Sequence, residues 1–188
     1  MSSPLPRCQE TAAGLLHEWA PHVEVVSDDR LGECRYGAWT GRPLAELAED
    51  PLWRVVQDQP SAARFPDGEE YAGESLAAMS ARAVAAIRET DAAIEAGFGG
   101  SALWVAVTHG DVVKAVVADA LGQHLDLFQR IVVDPGSATV IRYTAARPMV
   151  LTVNSVGGAL PIGAEAHGRP GDAAVGGGAG SAPAGSAG

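Results

Sequence analysis

The sequence predicts an α/β domain, a three-layer α/β/α sandwich, on three observations. Short apolar runs, above all 102–107, alternate with longer segments whose apolar residues recur at helical spacing. The run 102–107 is continuous rather than alternating, the pattern of a strand buried on both faces. Hydrophobic residues make up 47% of the 188-residue chain and charged residues 19%, which is enough to build one core.

Each element follows in chain order. A helix is expected after Pro4, with Cys8, Ala12, Leu15, Leu16 and Trp19 on one face. The run 23–26 fits a strand, and 31–41, with three glycines, a loop. Residues 44–57 read as one helix through Leu44, Leu47, Leu52, Trp53 and Val56, and 60–73 as a polar loop. The Ala-rich stretch 75–96, with Leu76, Met79, Val84, Ile87 and Ile94, is the clearest helix. After the strand at 102–107, the chain breaks at Thr108-His109-Gly110 and enters a helix over 111–121 that stops near Gly122. Strands are expected at 131–133, 139–143 and 150–153. The folded domain is thus expected over 1–160. The remainder, 161–188, is almost wholly Gly, Ala, Ser and Pro, a composition that predicts a disordered tail. The chain opens on a helix, with no strand before it to begin the sheet.

Charge and composition narrow the function. A net charge of −10 leaves no basic stripe to displace counterions, which argues against a nucleic-acid partner. It does not exclude small anions, which a few arginines can hold inside an acidic protein. No run approaches the roughly 18 apolar residues of a membrane span, so no membrane role is expected. Cys8 and Cys34 form neither a zinc set nor a disulfide framework, and the expected setting is the reduced cytoplasm. A homo-oligomer is left open.

Three places could carry chemistry. Thr108-His109-Gly110-Asp111 lies at a strand end and opens a helix, where backbone N–H groups around Gly110 and the helix dipole favour an anion such as phosphate. Arg7 sits at another helix start, where a guanidinium could clamp a phosphate. Glu33, in a Gly-flanked loop, could protonate a leaving alkoxide if its pKa is raised. Each also has an ordinary reading, as a buried imidazole, a solvated charge and a surface carboxylate. No Gly-x-x-x-x-Gly-Lys loop, no Gly-x-Ser-x-Gly elbow and no cysteine-phosphatase loop occurs, and the five histidines lack metal-ligand spacing.

Together the segments Ser2-Ser3-Pro4-Leu5-x-Arg7, Leu31-x-Glu33-x-x-x-Gly37-x-Trp39-x-Gly41, Gly73-Glu74-Ser75 and Thr108-His109-Gly110 resemble the histidine phosphatase (phosphoglycerate mutase-like) superfamily over about residues 2–160. The segments around Cys8 and Phe128 look like an actinobacterial phosphomutase branch. The resemblance implies a phosphoglycerate mutase-like fold and a phosphohistidine intermediate formed on a small phosphorylated metabolite, without a cofactor. It implies Glu33 as the proton donor, His109 and Arg7 as the phosphoryl cradle, and Glu74 near the substrate. No Arg-His-Gly, the family's nucleophile motif, occurs anywhere in the chain. His17 and His22 read as surface residues rather than substitutes. The expectation is an N-terminally truncated gene model, with Met1 a misread start codon and the first strand and its helix missing. The sheet would then show an exposed apolar edge, and this chain alone would be inactive. The alternatives are a non-catalytic phospholigand-binding relic and an idle partner subunit.

Overall fold

Ser75 begins the longest helix of the computed structural model, which describes residues 1–20, 22–158 and 160. Its Oγ accepts the Ala78 N–H at 3.1 Å, capping α4 (Leu76–Phe98), which ends at Gly99 with φ +87°. Leu76, Met79, Ala83, Ala86 and Ile87 form its buried stripe, and the small alanines let α5 (Gly110–Ala120) pack closely against it. Ser75→Ala is expected to lower the unfolding free energy by about 1 kcal/mol in urea titration, with the fold retained.

The other α-helices among the described residues are α1 (Pro6–Trp19), α2 (Leu44–Leu47) and α3 (Pro51–Asp58). α1 buries Cys8 and Ala12, but Trp19, expected on that face, is 78% exposed because it lies at the last position, past the turns that pack. The single helix expected over 44–57 is two. Pro51 has no N–H to continue α2 and holds Asp50 extended (ψ 132°), and the Asp50 carboxylate caps α3 by accepting from Leu52 N–H at 2.9 Å.

The sheet differs most from expectation. Residues 1–3 lie between 26–28 and 105–107, with Ser2 bridged in parallel to both Ser27 and Val107. Ser2 N–H donates to Val26 O at 2.8 Å and Ser3 N–H to Val107 O at 2.9 Å. These pairings stay isolated bridges, so 23–26 and 102–107 are extended segments rather than strands, and 131–133, also expected as a strand, is irregular. Leu103 and Val105 are 63% and 53% exposed while Trp104 and Ala106 pack on the core, so 102–107 buries one face and not two. The strands among the described residues are β1 (Ala138–Arg142) and β2 (Met149–Ser155), an antiparallel pair with two register shifts that packs on α5. The Gly/Ala-rich segment 161–188 lies outside the described residues.

Aromatic packing fixes the loop that bears Glu33. Phe65 is fully enclosed, with Tyr36 and Trp39 against it edge-on at 5.0 and 5.2 Å. At this crossing a Cβ on Gly37 (φ +52°) would meet Pro66 O at 2.0 Å, and one on Gly73 would meet Phe65 O at 2.1 Å. Only glycines let the two backbones approach so closely.

Candidate active site

Four separate segments meet at one end of the 1–3 ladder. Ser3 leaves it, Pro6 starts α1 one residue before Arg7, Leu31 precedes the Glu33 loop, and His109 stands just before α5. Thr108 Oγ1 donates to Leu31 O at 2.6 Å, tying the His109 turn to the Glu33 loop. As a result Arg7, Glu33 and His109, spread over 102 residues of sequence, converge. Arg7 Nη2 lies 2.9 Å from His109 Nδ1 and 3.7 Å from Glu33 Oε2, and His109 Nδ1 lies 3.7 Å from Glu33 Oε2.

The contacts define the protonation of His109. A guanidinium can only donate, so Nδ1 accepts from Arg7 and the ring proton resides on Nε2. Nε2–H then donates to Ser3 Oγ at 2.7 Å. Burial, then the charges of Arg7 and Arg82, lower the imidazole pKa to about 4, so the ring is neutral at pH 7. Cys8 Sγ lies 3.5 Å from Nε2 and donates to Thr108 O at 3.6 Å, filling the space beneath the ring. Its thiol pKa is raised, chiefly by burial, so it packs as a small neutral group.

Glu33 is pushed the opposite way. Burial raises its pKa, the Cys34 N–H at 3.1 Å pulls it down, and the charge of Asp111 pushes it up again. A carboxyl held towards its neutral form beside an Arg7 side chain that is 61% exposed can give up a proton next to a bound oxyanion. Gly110 is the first residue of α5, and a Cβ there would meet nothing closer than Val133 O at 4.0 Å.

Glu74, expected near the substrate, is placed differently. It is 3% exposed and does not line the cavity beside Glu33. Its Oε1 accepts from Arg82 Nη2 at 2.5 Å and Arg35 N–H at 3.0 Å, and its Oε2 from Arg82 Nε and Arg35 Nη2, both at 3.2 Å. Burial alone would raise its pKa, but these hydrogen bonds and charges outweigh it and the pKa is lowered. The carboxylate anchors Arg82 and Arg35. Arg82, which sequence reasoning passed over, also donates to the carbonyls of Arg30 (2.7 Å), Gly32 (2.8 Å) and Glu33 (3.0 Å). Its signal was present in part: of the two arginines in the Ala-rich stretch 75–96, it is the one at helical spacing with Met79, Ala83 and Ala86. Ser3, which meets His109 Nε2, is a second residue that sequence reasoning passed over, although it stands inside Ser2-Ser3-Pro4-Leu5-x-Arg7. His17 and His22 are exposed, and among the described residues His109 is the one buried histidine.

A cavity of about 460 Å³ adjoins Glu33, walled by Leu5, Asp29, Arg30, Arg35 and Arg82 among others. An arginine, a neutral imidazole and a carboxyl held towards its neutral form thus meet beside the head of a helix in an α/β fold. The family model of the histidine phosphatase superfamily (branch 1) matches residues 1–156, and the chain belongs to that family. Phosphoserine phosphatase 1 of Hydrogenobacter thermophilus is 28% identical over 158 residues, covering 81% of this chain and 68% of the relative. Two solved structures share the fold at lower identity. A mycobacterial glucosyl-3-phosphoglycerate phosphatase with inorganic phosphate has a TM-score of 0.66 at 23% identity, over 82% of this chain and 75% of that one. A variant of the Entamoeba histolytica phosphoserine phosphatase in complex with phosphoserine has a TM-score of 0.66 at 21% identity, over 82% and 72%. Both are phosphoglycerate mutase-like folds, the class expected from the sequence. No helix among the described residues is long and apolar enough to cross a membrane.

Proposed function

We propose that this chain carries the phosphate-holding and proton-donating machinery of a phosphomonoester phosphatase that works through a phosphohistidine on a small phosphorylated metabolite. The observation that carries the proposal is the meeting of Arg7, Glu33 and His109 within 3.7 Å. In this reading Arg7 and His109 hold the phosphoryl oxygens, with N–H groups at Gly110 assisting. Glu33 gives its proton to the departing alkoxide as the P–O ester bond breaks. The relatives' names favour hydrolysis over transfer between two hydroxyls. The phosphoryl acceptor of the family's mechanism has no counterpart in these 188 residues, because Arg-His-Gly does not occur, and no nucleophile is assigned within them.

The expected outcome with p-nitrophenyl phosphate is therefore no release of nitrophenol above background. Strong turnover by the chain as it stands would mean that the nucleophile has been misassigned. The intact cradle without an acceptor also favours a second reading, phospholigand binding without turnover. Added imidazole separates the two. In a phosphatase cradle it attacks phosphorus in place of the histidine, and nitrophenol release becomes imidazole-dependent and is lost in Arg7→Gln. In a binding-only protein imidazole has no effect.

A further inference from the structure

We infer that Ser3 is a positioning residue of the site: its hydroxyl holds the Nε2 edge of His109, keeps Nδ1 turned towards Arg7 and the oxyanion, and steadies the ring when it becomes charged there. This role rests on the reading of Arg7 and His109 as the groups that hold the phosphoryl oxygens. Ser3 is fully buried, and its Oγ accepts from Leu5 N–H at 3.3 Å and from His109 Nε2–H at 2.7 Å. Both partners stand on fixed mounts. Ser3 N–H donates to Val107 O at 2.9 Å, and Ser3 O accepts from Gln9 Nε2 at 2.6 Å and Ser2 Oγ at 3.0 Å. His109 lies two residues beyond Val107, and its carbonyl accepts from Val113 N–H at 2.9 Å. The hydroxyl and the ring are thus held against each other by one backbone pairing.

This bond decides which edge of the ring meets the anion. Turned by half about its Cβ–Cγ bond, the imidazole would set ring carbons against Arg7 and Ser3 and lose both contacts. The fallback partner for Nε2–H is Cys8 Sγ at 3.5 Å, and sulfur is a weak acceptor. The partner of one ring nitrogen sets the state of the other, so Nε2–H on Ser3 leaves the lone pair on Nδ1, 2.9 Å from Arg7. When an anion binds and Nδ1 takes a proton, the same Nε2–H belongs to a cation. A charged donor makes a hydrogen bond roughly twice as strong as a neutral one, so Ser3 stabilises the charged ring more than the neutral one. The ionisable groups around the ring act apart from this. Arg7 on α1 and Arg82 on α4 oppose the proton, and Glu33 at 3.7 Å favours it when ionised. Cys8 is a neutral thiol, and Asp111 follows on α5 itself. Among the described residues, the oxygen that meets Nε2 is Ser3 Oγ.

Nitrogen-15 NMR of the histidine rings in the full chain, with sulfate as the anion, tests this. Arg7→Met removes the donor to Nδ1, and in that variant Ser3 alone should still keep His109 as the Nε2–H tautomer. Adding Ser3→Cys, whose near-isosteric thiol fills the space but accepts weakly, should give a mixture of tautomers. With Arg7 intact and sulfate bound, the ring pKa should fall by about one unit in Ser3→Ala and in Ser3→Cys. Sulfate affinity should then drop about tenfold at pH 5, and by less and less as pH rises through that pKa. A serine that only fills space would move the urea midpoint and neither of these readouts. Ser3→Cys keeps the packing, so the measurement stands even where Ser3→Ala does not fold. A pure Nε2–H tautomer in Arg7→Met with Ser3→Cys, or sulfate affinity lowered equally at pH 5 and pH 8 in Ser3→Cys, overturns the inference. Sulfate that leaves His109 unaffected in the unaltered chain would instead defeat the phosphate-site reading, while the sulfate-free tautomers still decide whether Ser3 holds the ring.

Discussion

Replacing Arg82 with alanine is expected to lower the unfolding free energy by about 3–5 kcal/mol, the range for breaking a buried ion pair by removing one partner. Arg82 is 20% exposed on its side chain and Glu74 3%, so the pair is little screened by water. Loss of the guanidinium strands the Glu74 carboxylate in the core and leaves the carbonyls of Arg30, Gly32 and Glu33 without their donor. Those carbonyls belong to the loop that presents Glu33, so the variant should also loosen the candidate site. Urea denaturation gives the magnitude, and a loss below about 1 kcal/mol would mean that the network is not the loop's anchor. The double variant Arg82→Leu with Glu74→Leu should lose less than the sum of the two single changes, because no charge remains unpaired. The pH dependence has a fixed sign. The folded Glu74 pKa is lowered below 4.5, so its stabilising contribution is full above that pH and drains away as pH falls through the lowered value. Arg82→Ala should abolish that part of the acid limb.

What the sequence reveals of this molecule depends on how local the responsible physics is. The α4 helix was legible because Ser75, the apolar stripe and Gly99 lie on one continuous segment. The break at Pro51 was also available, since an Asp-Pro pair both caps and interrupts a helix, but apolar periodicity on either side concealed it. Strand pairing was not legible in this way. Whether 102–107 buries one face or two depends on what lies beside it, and among the described residues it is 1–3 that pair along it. The candidate site divides similarly. Arg7, Glu33 and His109 stand in punctuated loops and helix starts, and their meeting was open to prediction from motif order. The roles of Glu74 and Arg82 were not, because Arg82 donates to backbone carbonyls about fifty residues away and Glu74 accepts from Arg35 at a separation of 39 residues, pairings that no local pattern records.

Sulfate, a dianion that does not itself titrate near neutrality, is expected to bind with uptake of a proton and to bind more tightly as pH falls. In the free site His109 Nδ1 is an acceptor turned towards Arg7, and Nε2–H is committed to Ser3. An oxyanion drawn to Arg7 would face the Nδ1 lone pair, which repels it. Protonation at Nδ1 turns that repulsion into a charge-assisted hydrogen bond while Nε2–H keeps Ser3. The free imidazole has its pKa lowered to about 4 by burial and by Arg7 and Arg82, and the anion reverses the sign of the nearest charge and raises it. Between these two values binding takes up a proton, so affinity should rise by up to about tenfold per pH unit as pH falls from 7 and level off below about pH 4. Calorimetry in two buffers of different ionisation heat reads the proton directly. Glu33, with its own raised pKa and 3.7 Å from Nδ1, adds to the uptake, so Glu33→Gln should shrink the slope without removing it. His109→Gln should leave only the share due to Glu33, and Arg7→Gln should weaken sulfate binding by about 30-fold or more at any pH. Sulfate affinity that does not vary between about pH 5 and 7 in the unaltered chain would show that the ring never accepts the proton. His109 would then serve to position Arg7 rather than to donate to the anion.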